Sequence, residues 1–98
     1  MAVTELHLLH SPSCGHCRQQ LAELSTVDNP LLVVHRHTSL GTMAPHVREV
    51  LAGVDMVPAM VFVTPDQNVS SVMVGYHPLP KLTEVLERHT KAKRRTRK

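Results

Sequence analysis

Hydrophobic residues follow two kinds of spacing in the first half of the chain. Residues 3–9 form an apolar-rich run that predicts a strand, whereas residues 14–26 carry apolar side chains at three- and four-residue intervals, which predicts a helix. Residues 31–35 form a continuous aliphatic run, which is typical of a strand buried on both faces of a parallel sheet. Residues 43–51 predict a short second helix. The side chains expected to face inward on it are Val47, Val50 and Leu51.

The second half of the chain predicts a hairpin and a final helix. Two apolar runs, residues 60–63 and 69–74, flank a turn-forming segment that contains Pro65, Asp66 and Asn68, and this pattern predicts paired third and fourth strands. A last helix is predicted over residues 79–89. The residues expected to face inward on it are Leu82, Val85 and Leu86.

The order of these elements, β-α-β-α-β-β-α, predicts the fold class. Two strands joined through a helix run parallel, whereas the strands of a hairpin are antiparallel, so the sheet is expected to be mixed. We therefore expect an α/β fold with a four-stranded mixed sheet flanked by helices. A chain of 98 residues has room for one small domain, which we assign to residues 1–90.

The charge of the chain is concentrated at its end. Residues 91–98 hold six of the eleven Lys and Arg residues, so the net charge of +3 comes from this basic tail. Such a tail could bind nucleic acid or an acidic partner, but it lacks the interleaved aromatic residues that stack on bases. We expect a solvated extension there, with nucleic-acid binding as the alternative.

The only two cysteines of the chain are Cys14 and Cys17, at the start of the first predicted helix. That spacing places both sulfur atoms on one face of the first helical turn, within reach of a disulfide bond. The positive end of the helix dipole stabilises a thiolate, which is the form of cysteine that attacks disulfides. We therefore predict a redox-active dithiol in which Cys14 is the nucleophile and Cys17 resolves the mixed disulfide.

His16 lies between the two cysteines and is a third candidate catalytic residue. In its protonated form it would favour the Cys14 thiolate and make the couple more oxidising. The alternative is a zinc site, but zinc is usually held by four ligands and only one cysteine pair exists. His10 and His16 would have to complete such a site, so we expect no metal and no cofactor.

The segment Cys14-Gly15-His16-Cys17, together with Val57-Pro58 about forty residues later, resembles the thioredoxin superfamily in its minimal form. The tetrapeptide is similar to that of protein disulfide isomerase domains. This resemblance implies a cis peptide bond before Pro58, with Val57 beside Cys14 and open to an extended substrate segment. It also implies that Tyr76, just after the glycine that follows the last strand, lies near the dithiol and contacts substrate.

Three positions depart from the pattern of that superfamily. Ser13 stands where thioredoxins have a Trp, and Leu8 stands where they have a buried acidic residue, which removes a candidate proton acceptor for Cys17. The Gly-Gly-x-x-Asp pattern with which glutaredoxins hold glutathione is replaced by residues 74–78. The sequence therefore gives no support for glutathione binding.

These features predict a thiol–disulfide oxidoreductase that acts on protein disulfides and is recycled by a separate reductase or oxidase. The alternatives are a glutaredoxin-like electron donor to a specific enzyme, and a nucleic-acid-associated module whose dithiol is a redox switch. Residues 1–10 lack the pattern of a signal peptide, and no apolar run is long enough to span a membrane, so we expect a cytoplasmic location. We also expect the protein to be a monomer that does not bind a membrane. That location favours a reductase, whereas His16 favours an oxidising couple.

Overall fold

The computed structural model describes residues 3–27 and 29–86, which form a four-stranded sheet with helices on both faces. A short 3-10 helix, Leu40–Thr42, precedes the second α-helix. The remaining elements, in chain order, are β1 Glu5–Leu9, α1 Gly15–Leu24, β2 Val33–His37, α2 Pro45–Val50, β3 Ala59–Val63, β4 Val69–Val74 and α3 over residues 79–86.

The sheet has the strand order β2-β1-β3-β4. The strand β1 runs parallel to β2 and antiparallel to β3, and β3 pairs with β4 as an antiparallel hairpin. This arrangement confirms the predicted fold class, including the mixed sheet and the hairpin. The predicted bounds of β4, residues 69–74, are also those of the structure.

Alternate residues of the strands build two separate cores, one on each face of the sheet. Leu6 and Leu8 belong to the core that α1 and α3 cover, whereas Leu9 belongs to the core that α2 covers. The other buried members of the first core are Val3, Leu24, Met60, Phe62, Met73, Leu82 and Val85. Those of the second are Met43, Val47, Leu51, Ala59, Val61 and Val63.

The expectation that residues 31–35 form a strand buried on both faces is wrong. The strand begins two residues later, at Val33, and within the described residues it lies at the edge of the sheet, paired with β1. Val33 is 52% exposed and Leu31, before the strand, is 73% exposed. An edge position leaves part of the strand uncovered, and the apolar run alone does not distinguish an edge from a centre.

The inward face predicted for the second helix is partly wrong. Val47 and Leu51 are fully buried, but Val50 is exposed. Helix α2 has only six residues, and the other buried residue of this segment is Met43, which precedes the helix. In α3, Leu82 and Val85 are buried and Leu86 packs against the first core, as expected.

Two of the sequence predictions extend beyond the part of the chain that the structure describes. These are the end of the last helix, residues 87–89, and the basic tail, residues 91–98. Within the described ranges, no helix has the length and apolar character required to cross a membrane.

Candidate active site at the start of α1

Cys14 is the N-cap residue of α1, and its sulfur replaces the oxygen that usually caps a helix. Its backbone is extended, with φ −95° and ψ 115°, so that Sγ turns back over the first turn and accepts the Cys17 N–H at 3.1 Å. An N-cap atom lies where unpaired N–H groups and the helix dipole give a positive potential. A negative charge on this sulfur is therefore stabilised by the backbone itself.

The two cysteines differ in exposure and in acidity. Both are free thiols; Cys14 is partly exposed, whereas Cys17 is fully buried. A hydrogen bond from the Cys17 thiol lowers the pKa of Cys14, and the backbone N–H groups of Cys17 and His16 and the charge of Arg18 add to this lowering. Burial raises the pKa of Cys17, and its hydrogen bond to Cys14 acts in the same direction. The outer sulfur is thus the easier one to ionise.

The segment that leads into β3 lies beside the Cys14 sulfur. The Cys14 thiol faces the Val57 carbonyl oxygen at 3.9 Å, the Val57–Pro58 peptide bond is cis, and Pro58 is fully buried. Met56, one residue earlier, is 55% exposed. The fold therefore brings together Cys14 and Val57, which are 43 residues apart in the chain.

Tyr76 lies against the dithiol segment through a ring contact with His16. The two rings stack with their centroids 5.9 Å apart and an angle of 20° between their planes. The contribution of His16 to the acidity of Cys14 comes from its backbone N–H. The electrostatic role assigned above to the charged His16 ring stays a prediction. We call the group formed by Cys14, Cys17, His16, Val57 and Tyr76 the dithiol corner.

Two polar residues of α1, Gln20 and Glu23, hold the loop of residues 76–79 against the dithiol corner. The amide of Gln20, fully buried, donates to the His77 carbonyl at 2.9 Å and accepts the His77 N–H at 2.8 Å. The Glu23 carboxylate accepts the Leu79 N–H at 2.6 Å and also accepts the Tyr76 hydroxyl. This hydroxyl contact with a carboxylate raises the pKa of Tyr76.

Sequence reasoning missed Gln20 and Glu23, since polar residues in a helix are mostly exposed. The sequence offered one weak indication that Gln20 is buried. Gln20 lies one turn before Leu24 and three residues after Cys17, on the apolar stripe of α1, where a polar residue needs a hydrogen-bond partner. That partner is the backbone of residue 77, which could be identified only from the fold.

The side chain of Leu8 lies in the interior of the protein. It is fully buried among the apolar residues of the first core. This position therefore offers Cys17 no carboxylate as a proton acceptor.

The two thiols do not lie within a larger set of potential metal ligands. Over residues 3–27 and 29–86, neither cysteine belongs to a group of three or more His, Cys, Asp or Glu side chains with ligand atoms within 4.8 Å of one another. The arrangement of Cys14 and Cys17 with His10 and His16 that zinc would require is not formed there.

Comparison with known proteins shows the same architecture. The crystal structure of a thioredoxin from Aeropyrum pernix is similar to this chain with a TM-score of 0.51 and 21% sequence identity. The match covers 90% of this chain and 73% of that thioredoxin. This likeness shows that the chain has a thioredoxin-like fold. No protein-family model and no curated protein matches the sequence.

Proposed function

We propose that this chain is a thiol–disulfide oxidoreductase that acts on protein disulfides, with Cys14 as the nucleophile and Cys17 as the resolving cysteine. The observation that carries the proposal is the asymmetry of the two thiols. Cys14 is partly exposed and its sulfur accepts a backbone N–H at a helix N-terminus, whereas Cys17 is buried one turn behind it. Thiol–disulfide exchange needs one accessible, stabilised thiolate to attack the substrate sulfur and a second cysteine within reach to resolve the mixed disulfide.

In the first step the Cys14 thiolate attacks one sulfur of a substrate disulfide. A bond forms between Cys14 Sγ and that sulfur, the substrate S–S bond breaks, and the second substrate sulfur leaves as a thiolate. The lowered pKa of Cys14 increases the fraction of the attacking thiolate form at a given pH. The leaving thiolate takes a proton from solvent.

In the second step Cys17 resolves the mixed disulfide. Its sulfur attacks Cys14 Sγ, a Cys14–Cys17 disulfide forms, and the remaining substrate sulfur departs, so that two electrons have passed to the substrate. The pKa of Cys17 is raised by burial, so its proton must be removed during the attack. Because Leu8 supplies no carboxylate, we assign that proton to the departing substrate sulfur.

The substrate segment is proposed to lie between Val57 and Tyr76, on either side of the dithiol. The Val57 carbonyl oxygen is 3.9 Å from Cys14 Sγ, so an extended peptide paired with this backbone would carry its sulfur past Cys14. Met56 adds an exposed thioether that adapts to varied side chains, and the stacked rings of His16 and Tyr76 form the opposite boundary. His16 is proposed to add to the stabilisation of the Cys14 thiolate when it is protonated.

We place this reaction in the cytoplasm, where a separate reductase would return the disulfide to the dithiol. The reduction potential of the Cys14/Cys17 couple against glutathione assigns the direction. A potential of about −270 mV is that of reducing thioredoxins, whereas about −120 mV is that of strong oxidants.

A trapping experiment tests the assignment of the two cysteines. We expect reduced Cys17→Ala protein, incubated with a disulfide-containing model protein, to accumulate a mixed disulfide through Cys14, because nothing resolves it. The measurement is mass spectrometry of the adduct and of its proteolytic fragments, with a non-reducing gel for the time course.

Cys14→Ala is the matched control, since it also leaves one thiol in the same helix turn. It should form adducts at least about a hundred times more slowly, because the remaining thiol is buried and its pKa is raised. Adducts that form through Cys17 in this variant at the rate of the Cys14 adducts would reverse the assignment. If neither variant formed adducts, the proposed oxidoreductase activity would be contradicted.

A further inference from the structure

A second cluster of reactive side chains lies on the face of the sheet that α2 covers, away from α1. Glu5 and His7 alternate with Leu6 and Leu8 along β1, so they point to the opposite face from the core under α1. In the parallel pairing with β2, His7 lies beside His35. Leu9 lies beside His37, and His37 reaches His7 through its ring. We call Glu5, His7, His35 and His37 the histidine face.

A chain of hydrogen bonds couples the proton of His7 to Thr42. The Thr42 hydroxyl lies 2.7 Å from Nδ1 of His37 and 3.1 Å from the Ser39 carbonyl oxygen, and it has one proton to donate. Nε2 of His37 lies 3.1 Å from Nδ1 of His7, so one of these two nitrogens donates to the other. In the arrangement in which Thr42 donates to Ser39, His7 donates from Nδ1 and offers a lone pair on Nε2; in the reverse arrangement, Nε2 of His7 carries the proton.

The histidine nitrogens face one oxygen of Glu5. Nε2 of His7 is 3.2 Å from Oε1 of Glu5, and Nε2 of His35 is 3.6 Å from the same oxygen. A proton on Nε2 of His7 makes the first contact a hydrogen bond, and a metal ion in place of that proton would be bound by both groups. Two ligands in a tetrahedral zinc site, each about 2.0–2.2 Å from the metal, are about 3.4 Å apart. The separation of His7 and Glu5 is close to this value.

The Glu5 carboxylate is oriented by a residue outside the cluster. Gln67, in the turn between β3 and β4, donates to Oε2 of Glu5 at 3.0 Å, which leaves Oε1 directed at the two histidines. Metal-binding carboxylates are usually oriented by such second hydrogen bonds.

We propose that Glu5, His7 and His35 bind a divalent transition-metal ion of the zinc class. Their ligand atoms all lie within 4.8 Å of one another, and two histidines with one carboxylate form a donor set that leaves a coordination position for water. Binding requires the His35 ring to turn out of its stack on His7, where the centroids are 4.6 Å apart, because a metal lies in the plane of each imidazole. The His35 side chain is 42% exposed, so its ring can rotate into solvent without displacing core residues.

The test is a zinc titration of the untagged chain of 98 residues in a Cys14→Ala/Cys17→Ala background, which removes the thiols as competing ligands. Zn²⁺ is added against a chromophoric chelator, and stoichiometry is checked by elemental analysis after dialysis. We expect one equivalent of zinc, and a shift of the His7 and His35 Nε2 resonances in nitrogen-detected NMR of the side chains. Glu5→Gln and His35→Gln should each weaken binding at least about tenfold.

Both variants alter side chains that are at least a quarter exposed, so the fold should survive them, and circular dichroism checks that it does. His77→Gln is the matched control, because its ring lies outside the cluster and contacts the Val74 carbonyl. It should change the zinc affinity less than about twofold. Absence of one-to-one binding, or equal affinity in His35→Gln and His77→Gln, would overturn the site and leave a proton as the species between Glu5 and His7.

Discussion

The dithiol corner and the histidine face are assembled in different ways. In the dithiol corner the reactive atoms come from residues three positions apart, and the geometry follows from one turn of helix. In the histidine face His7 and His37 are 30 residues apart, and only the parallel pairing of β1 with β2 brings them together. Chemistry that depends on local spacing can be recognised in a sequence, whereas chemistry that depends on strand register cannot.

The contrast is not complete, because the dithiol corner also relies on distant contacts. Gln20 binds the backbone of His77, which is 57 residues further along the chain, and through this contact the loop that carries Tyr76 is held near His16. The local part of the site provides the nucleophile. The distant part provides the wall against which a substrate is proposed to lie.

The largest expected effect comes from removing that distant contact. Gln20→Ala leaves the N–H and the carbonyl of His77 without their partner, and each unpaired buried group costs about 1–3 kcal/mol. We expect the free energy of unfolding to fall by about 2–4 kcal/mol in total. The measurement is urea denaturation followed by circular dichroism.

Gln19→Ala is the control for this prediction, since Gln19 is the preceding residue of the same helix and is exposed. It should change the free energy of unfolding by less than about 0.5 kcal/mol. If the two variants were equally stable, the loop of residues 76–79 would not depend on α1, and the dithiol corner would be a purely local structure.

The accuracy of the sequence predictions follows the same division. The element order, the mixed sheet and its hairpin could be predicted because strand and helix periodicities are local and connection rules limit how they combine. The burial of β2 could not, because Val33 has the composition of a central strand and only the strand order shows that it lies at an edge. Val50 was misassigned because a helix of six residues is too short for its periodicity to define one face.

The candidate site divides in the same way. Cys14 and Cys17 could be identified from their spacing and position. Tyr76 was placed near them by resemblance to a known superfamily, and the ring contact with His16 is found in the structure. Gln20 was missed because its partner is a backbone group far along the chain, and backbone groups carry no sequence signal.

A smaller effect tests whether the histidine face depends on its hydrogen-bond chain. Thr42→Val keeps the shape of the side chain but removes the hydroxyl that, in the metal-binding arrangement, accepts from Nδ1 of His37. His37 can then carry its proton on Nε2, donate to Nδ1 of His7 and so move the His7 proton to Nε2, where it blocks a metal. We expect zinc affinity to fall about tenfold in the chelator competition, which is the size typical of a group that orients a metal ligand.

Thr42→Ser is the matched control, because it restores the hydroxyl without the methyl group. It should keep the zinc affinity of the unmodified chain within about twofold, and the tautomer of His7 should follow in the nitrogen chemical shifts. Loss of affinity in both variants would mean that Thr42 acts through packing of the 3-10 helix Leu40–Thr42 rather than through His37.

The smallest expected effect is a shift in the titration of Cys14, and it tests how local the dithiol corner is. The pKa of Cys14 is lowered chiefly by the hydrogen bond from the Cys17 thiol, with Arg18 contributing less. A lowered pKa means that the thiolate persists as the pH falls, so alkylation of Cys14 by iodoacetamide should stay fast at pH values below those at which an ordinary thiol reacts.

Cys17→Ala removes the largest cause of the lowered Cys14 pKa and should move the midpoint of the pH–rate profile to higher pH. Arg18→Gln should move this midpoint in the same direction by a smaller amount. If Arg18→Gln had the larger effect, the acidity of Cys14 would come from long-range charge rather than from the turn of helix that holds the two sulfurs together.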